Sequence, residues 1–160
     1  DPALLASPHI GEAGVVKVSD VAPSSKQIAA ANNLHSNVED MAQFILATIN
    51  RGEVDGERVL PSDAFEMMWN EPIESNLGGF FFGRLYSADL FPVTGMGWAM
   101  TEIEGHPVIH AYGGERGFQS DMMLCPEEGI GVIAMGNGEA GGDFYSPTTA
   151  VDVMGMLLAQ

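Results

Sequence analysis

The sequence predicts an α+β fold in which an antiparallel sheet is flanked by helices. From Gly95 onward, short apolar runs alternate with tight turns, and connections this short join antiparallel neighbours. Apolar residues with helical spacing occur both before this region and at the end of the chain. The 160 residues, 46% of them apolar, are enough for one domain with a substantial core.

The first third of the chain predicts one clear helix after an irregular start. Residues 1–35 show no sustained period, and within them only Val15–Val18 resembles a strand. Ser36 and Glu39 then fit a capping box, in which the two side chains satisfy free backbone donors at a helix start. Apolar residues follow at helical spacing, and Arg51-Gly52 is typical of a helix end.

The remaining elements are a short helix, four strands and a terminal helix. Ser62 can begin a helix that runs to about Trp69, whereas residues 70–94 are irregular and rich in Gly, Phe and Pro. A terminal helix is predicted from about Pro147 to Leu158, with proline in its first turn. The predicted strands are Trp98–Ile103, Pro107–Tyr112, Gly117–Leu124 and Ile130–Met135.

Composition excludes several classes of function. Asp and Glu number 22 against six Lys and Arg, so the net charge of −16 repels phosphate backbones and argues against nucleic-acid binding. The single cysteine, Cys125, allows neither an internal disulfide nor a thiolate metal cluster. Apolar runs such as Ile130–Met135 are far shorter than the roughly 20 residues of a membrane span.

Familiar nucleophile and metal motifs are missing from the sequence. A Ser-x-x-Lys motif needs serine three residues before lysine, but Gly14 and Pro23 stand three residues before Lys17 and Lys26. Tyr-x-Asn, Gly-x-Ser-x-Gly and the phosphate-binding Gly-x-x-x-x-Gly-Lys are also absent. His106 and His110 lie four residues apart, but on a predicted turn and strand, so no metal site is predicted.

The candidate site is the run from His110 to Phe118. Here a predicted strand ends in the paired glycines Gly113 and Gly114, where backbone can approach a ligand closely and direct N–H groups at an oxyanion. The alternative interpretation is a bulge or tight turn, because glycine inside a strand commonly marks one. The residues alone leave both interpretations open.

The stretch from His110 to Asn137 resembles the third conserved block of class C β-lactamases and related penicillin-binding proteins, esterases and peptidases. In that family a strand ends in Lys-Thr-Gly or His-x-Gly, and a Gly-Phe pair, a strand, a Pro-Glu turn and a strand closing on Asn follow. Residues 30–44, 59–68 and 95–98 resemble earlier pieces of the family in the same order. The resemblance therefore spans about residues 29–158.

Position by position, the resemblance implies roles for a few residues. Ala111-Tyr112-Gly113 falls where the family has Lys-Thr-Gly, and Gly114 falls where a backbone N–H is donated to the oxyanion hole. Ala111 departs from the pattern because it carries no cation, which argues for an ester or uncharged amide substrate, or for no catalysis. The implied catalytic residues are Tyr112, Gly113 and Gly114, and the implied substrate-binding residues are His110, Ala111, Glu115 and Arg116.

The resemblance also implies how the chain is organised. Residues 1–35 would be an irregular segment from a preceding helical region, residues 36–94 that region itself, and residues 95–160 the last strands and helix of the α/β domain. The implied partners are a small-molecule acyl substrate and an N-terminal companion segment that carries Ser-x-x-Lys. No cofactor is implied, and a periplasmic or secreted bacterial location is expected.

Two other hypotheses remain at this point. The chain could be a noncatalytic homologue that binds a ligand or partner in the same cleft, which the missing cation at Ala111 favours. It could also be an independent small α+β interaction domain whose resemblance to the family is fortuitous. On the sequence, His110 and Tyr112 share one face of their strand and Ala111 lies on the other.

Overall fold

The structure, a computed structural model, describes residues 5–12, 15–20, 34–69, 73–74, 93–94, 96–115, 117–140 and 145–160. None of the helices within these ranges is long and apolar enough to cross a membrane. The elements of the described ranges are, in chain order, β1 (His9–Glu12), β2 (Val15–Val18), α1 (Val38–Ile49), β3 (Glu53–Val54), β4 (Glu57–Arg58), α2 (Ser62–Trp69), β5 (Ile73–Glu74), β6 (Val93–Thr94), β7 (Ala99–Ile103), β8 (His106–Glu115), β9 (Phe118–Cys125), β10 (Ile130–Gly136), β11 (Gly138–Ala140) and α3 (Tyr145–Leu158).

A six-stranded antiparallel sheet forms the centre of the described structure, with the strand order β10-β9-β8-β7-β6-β5. Each strand pairs with its neighbour in sequence, as expected for a meander with short connections. Strands β8 and β9 are the longest, with ten and eight residues. All four strands predicted from Trp98 onward are present, and β8 extends three residues beyond its predicted end.

One helix covers each face of the sheet. Helix α3 packs Ala150 and Met154 against a buried cluster that includes Val108 and Met123. On the opposite face, Ile45 of α1 packs against Met122 and Leu124. Neighbouring residues of β9 therefore serve different helices, because side chains alternate between the faces of a strand. The predicted α+β fold, an antiparallel sheet flanked by helices, is confirmed.

The start of α1 differs from the predicted capping box by one residue. Asn37 is the cap, with extended backbone, and its Oδ1 accepts a hydrogen bond of 2.9 Å from the Asp40 N–H. Its Nδ2 also donates to the Asp40 carboxylate at 2.9 Å. The Ser36 hydroxyl donates instead to the Asn37 carbonyl at 3.4 Å. The prediction of Ser36 as the cap is therefore wrong, because its neighbour is an equally good capping residue and lies one position nearer the first turn.

The N-terminal segment is more ordered than its sequence predicts. Strand β1 pairs with β2 in an antiparallel hairpin and with β11 in parallel, which gives a three-stranded sheet of order β11-β1-β2. The prediction of a strand at Val15–Val18 is correct, but β1 was missed. The parallel partner of β1 lies about 130 residues further along the chain, at residues 138–140, so no local pattern announces it. Residues 1–4, 13–14 and 21–33 lie outside the described ranges.

Candidate active site

The end of β8 is open on one side. Along β8, residues His106–His110 pair with β7, whereas residues Ile109–Glu115 pair with β9. Among the described residues, the segment Ala111–Glu115 therefore has a neighbouring strand on one side only. Backbone groups on the other side of this segment can meet a ligand in the manner of an added strand.

Glycines determine the shape of this open segment. Gly113 lies opposite Ser120, and a Cβ on Gly113 would come within 3.0 Å of the serine Oγ. The Ser120 hydroxyl donates to the Gly113 carbonyl at 3.4 Å, a long hydrogen bond. Gly114 lies opposite Gln119 and is exposed. Neither glycine has a side chain that could cover its own backbone, so a ligand can approach the N–H groups closely.

The turn that follows packs against the N-terminal segment. Gly117 has a φ of +79°, a conformation that glycine adopts at little cost. A Cβ at Gly117 would lie 2.6 Å from the Pro8 Cβ, so only glycine lets the two segments approach this closely. The segment that leads into β1 is thereby held beside the β8–β9 turn.

Asn137, which directly follows β10, lies at the same end of the sheet as Gly114, two strands away. Gly114 of β8 faces Gln119, which in turn faces Gly136 of β10, and Asn137 follows directly. The backbone N–H of His9 donates to the Asn137 carbonyl at 2.9 Å, and the His9 Nδ1 lies 3.2 Å from the same oxygen. The sequence reasoning did not single out His9 as a site residue, because its proximity to Asn137 follows from the parallel pairing of β1 and β11.

The side chains predicted for the site separate onto the two faces of β8, as the alternation predicts. Ala111 packs against the cluster that joins Ile45 of α1 to β9. The position that lacks a cation is therefore part of an apolar contact between sheet and helix. Tyr112, on the opposite face, is half-buried. The backbone of Glu115 ends β8, and Arg116 lies outside the described residues.

His110 is located inside the protein rather than at a surface. Its side chain and that of Asp121 both have 0% exposure, and the His110 Nε2 contacts the Asp121 Oδ1. The side chain of His110 is thus enclosed within the described structure, and its contact with substrate stays a prediction. His110 belongs to the interior part of β8, which has strands on both sides, whereas the open segment begins at the next residue.

Burial governs the electrostatics of this pair. Loss of solvent raises the pKa of the Asp121 carboxyl, and the neighbouring His110 opposes this shift by hydrogen bonding and by charge. The Met122 backbone also acts to lower the pKa of Asp121. Two titratable side chains are thus enclosed together in a layer of mostly apolar residues, next to the open end of β8.

Two comparisons with known proteins bear on this site. A family model described as Beta-lactamase matches residues 2–154. The match includes β8, β9 and β10 together with α1, and therefore every predicted site residue. No curated protein matches the chain.

Proposed function

Because the chain belongs to the Beta-lactamase family, we propose that it is the C-terminal portion of a serine hydrolase that acts through an acyl-enzyme. In this proposal the nucleophilic serine and its activating lysine lie in a companion segment, since the sequence contains no Ser-x-x-Lys. The open end of β8 supplies one wall of the site and one oxyanion donor. Family membership also sets aside the hypothesis of an unrelated small domain with a fortuitous resemblance.

The observation that carries the proposal is the one-sided pairing of Ala111–Glu115. Among the described residues, only β9 flanks this segment of β8. The segment contains the paired glycines Gly113 and Gly114. A substrate acyl group can therefore lie alongside the strand, with its carbonyl oxygen on a backbone N–H. We assign this donor to the N–H of Gly114, which stabilises negative charge as the serine attacks.

The outer edge of the sheet supports the existence of a companion segment. In the described residues, β10 pairs only with β9, while α1 and α3 both contact it. Its sequence, Ile130–Gly136, contains neither lysine nor proline, residues that commonly protect an exposed edge from pairing. An apolar edge strand of seven residues is suited to pairing with another strand.

The contacts of Ala111 bear on the substrate class. A lysine at this position would have to leave an apolar cluster that includes Met122 and Leu124. The site therefore lacks the family's cation for a substrate carboxylate, which favours an ester or an uncharged amide. Tyr112 and Gly113 form the part of the strand that aligns such a substrate. Glu115 is the last residue of this strand, and Arg116 follows it in the sequence.

The first test asks whether acyl-enzyme chemistry is present in the native gene product. Its intact mass is measured, and the protein is then treated with a fluorescent phosphonate and a fluorescent penicillin. We expect label on a serine of a Ser-x-x-Lys motif outside residues 1–160. A folded protein that takes no label and hydrolyses no ester would contradict the proposal.

The second part of the test isolates the backbone donor. Gly114→Pro removes the N–H, whereas Gly114→Ala keeps it and serves as the matched control. We expect kcat to fall about 10²–10³-fold in the proline variant, the usual effect of losing one oxyanion donor, and to change little in the alanine variant. Circular dichroism and thermal unfolding check that both variants fold. Equal kcat values in two folded variants would show that Gly114 is not the donor.

A noncatalytic binding homologue is the second candidate, and the apolar setting of Ala111 favours it. It predicts reversible binding of penicillin or of an ester analogue without covalent label or turnover. Equilibrium dialysis after the labelling experiment distinguishes the two candidates, because only the hydrolase retains the probe after denaturation.

A further inference from the structure

The pair of His110 and Asp121 differs in character from its surroundings. Both side chains are completely enclosed, and the His110 Nε2 contacts the Asp121 Oδ1. Most of the buried residues between this face of the sheet and α3 are apolar, among them Val108, Met123 and Met154. A buried titratable pair loses the hydration of both groups, so its position needs a reason other than packing.

The pair joins the two strands that form the candidate site. His110 lies opposite Met123 and Asp121 lies opposite Tyr112, so the two side chains are diagonal neighbours on one face of the β8–β9 ladder. The contact therefore ties β8 to β9 at the point where β7 stops pairing with β8. Beyond this point, toward Glu115, β8 is held by β9 alone among the described residues.

The glycines that follow cannot hold the ladder by themselves. Gly113 and Gly114 have no side chains for cross-strand contacts, which contribute much of the stability of paired strands. Ser120 offers the Gly113 carbonyl only a hydrogen bond of 3.4 Å. The direction of the Gly114 N–H therefore depends on how firmly the two strands are fixed just before the glycines.

We propose that His110 and Asp121 are positioning residues, which fix the register and orientation of β8 on β9 and thereby aim the backbone of Gly113 and Gly114 at the reacting acyl group. The inference rests on the proposed function and assigns it two buried side chains that do not touch substrate. A buried pair replaced by apolar residues commonly leaves stability unchanged or higher. Positioning and stability can therefore be separated by experiment.

The decisive variant replaces both groups with apolar residues, His110→Leu together with Asp121→Val, in the native gene product. We expect its urea unfolding midpoint to equal or exceed that of the wild type, since no charge is left buried. Its kcat for an ester substrate should fall at least about tenfold, because small displacements of aligned groups have large effects on rate. KM should change much less than kcat, since neither residue contacts substrate.

A matched control is available on the same strand. His106, at the other end of β8, has its Nδ1 3.1 Å from the Glu128 Oε1, and both side chains are partly exposed. His106→Leu together with Glu128→Val should leave kcat close to that of the wild type. An equal loss of kcat in both double variants would overturn the inference, because distance from the site would then have no effect.

Backbone hydrogen exchange gives a readout that does not depend on activity. It is measured by mass spectrometry on peptides that cover residues 111–120. Exchange there should be faster in the double variant that combines His110→Leu and Asp121→Val than in the wild type, while exchange in α3 stays unchanged. A folded double variant with unchanged exchange and full kcat would overturn the inference.

A single substitution keeps the test available if the double variant does not fold. Asp121→Asn preserves the shape of the side chain and removes its charge, and we expect a lower kcat in a folded protein. An unchanged kcat in this variant would overturn the inference. A wild-type protein that takes no acyl label and hydrolyses no ester would instead contradict the proposed function, and the exchange measurement would still test the positioning of the glycines.

Discussion

The two faces of the central sheet are each covered by one helix, but their buried side chains differ in polarity. On the face covered by α1, Met122, Leu124 and Ile45 form an apolar cluster, and Gly131 of β10 lets the helix approach. On the face covered by α3, the apolar cluster gives way toward the open end of β8 to His110, Asp121 and the buried Gln119. One face is apolar as far as Ala111, whereas the other becomes polar just before the glycines.

The difference separates two requirements of packing: apolar side chains need only to fill the available volume, whereas buried polar side chains must also point in a particular direction. An apolar face is stabilised by any side chains that fill its volume, so it tolerates exchange among residues of similar size. A buried polar pair contributes little net stability but is strict about geometry, because a misdirected partner leaves a polar group without compensation. The polar residues occur next to the one segment whose backbone direction matters for the proposed chemistry.

The largest expected loss of stability comes from a substitution on the polar face of the sheet. Asp121→Ala removes one member of the enclosed pair and leaves His110 in an apolar layer without the carboxylate. We expect the free energy of unfolding to fall by about 3–5 kcal/mol, measured by urea denaturation. Asp152→Ala, on an exposed position of α3, is the control and should change stability by less than about 0.5 kcal/mol. A similar small loss in both variants would show that the pair is not a structural requirement of this face.

A smaller loss of stability is expected from a substitution on the apolar face of the sheet. A Cβ on Gly131 would lie 2.2 Å from Cγ2 of Ile45, a branched methyl close to the helix backbone. Gly131→Ala should therefore push α1 away from β10 and cost about 1–3 kcal/mol, the usual range for overpacking. Gly136→Ala is the matched control on the same strand, because a Cβ there meets nothing within 4 Å. Equal stability of the two variants would contradict the close approach of α1.

Local patterns in the sequence predicted most of the fold. The periods of apolar residues indicated both long helices and four central strands, since each element was long enough to show its period. The same alternation correctly put Tyr112 and Ala111 on opposite faces of β8. Strand β1 was missed because it has four residues and its parallel partner is β11, at the other end of the chain.

The candidate site was predictable as a position but not as a set of contacts. The paired glycines and the resemblance that surrounds them pointed to the end of β8. The contact between His110 and Asp121 depends on the diagonal across two strands, so it requires the register of the β8–β9 hairpin, which is fixed by the geometry of its turn. The burial of His110 likewise depends on where β7 ends, and a single strand's sequence does not contain that information.

The smallest expected loss of stability comes from a substitution at the start of α1, which changes the helix on the apolar face and leaves the sheet itself unaltered. Asn37 caps α1 through its hydrogen bond to the Asp40 N–H, so Asn37→Ala should lower the free energy of unfolding by about 1 kcal/mol. Ser36→Ala is the control, because its hydroxyl makes only a 3.4 Å contact with the Asn37 carbonyl. Cys125 provides a separate measurement for the face covered by α3, because its thiol is buried in the cluster on that face. Burial also raises the pKa of this thiol. If Asn37→Ala loosens only the α1 face, the rate at which a thiol reagent labels Cys125 under native conditions stays unchanged. Faster labelling would show that the two faces open together.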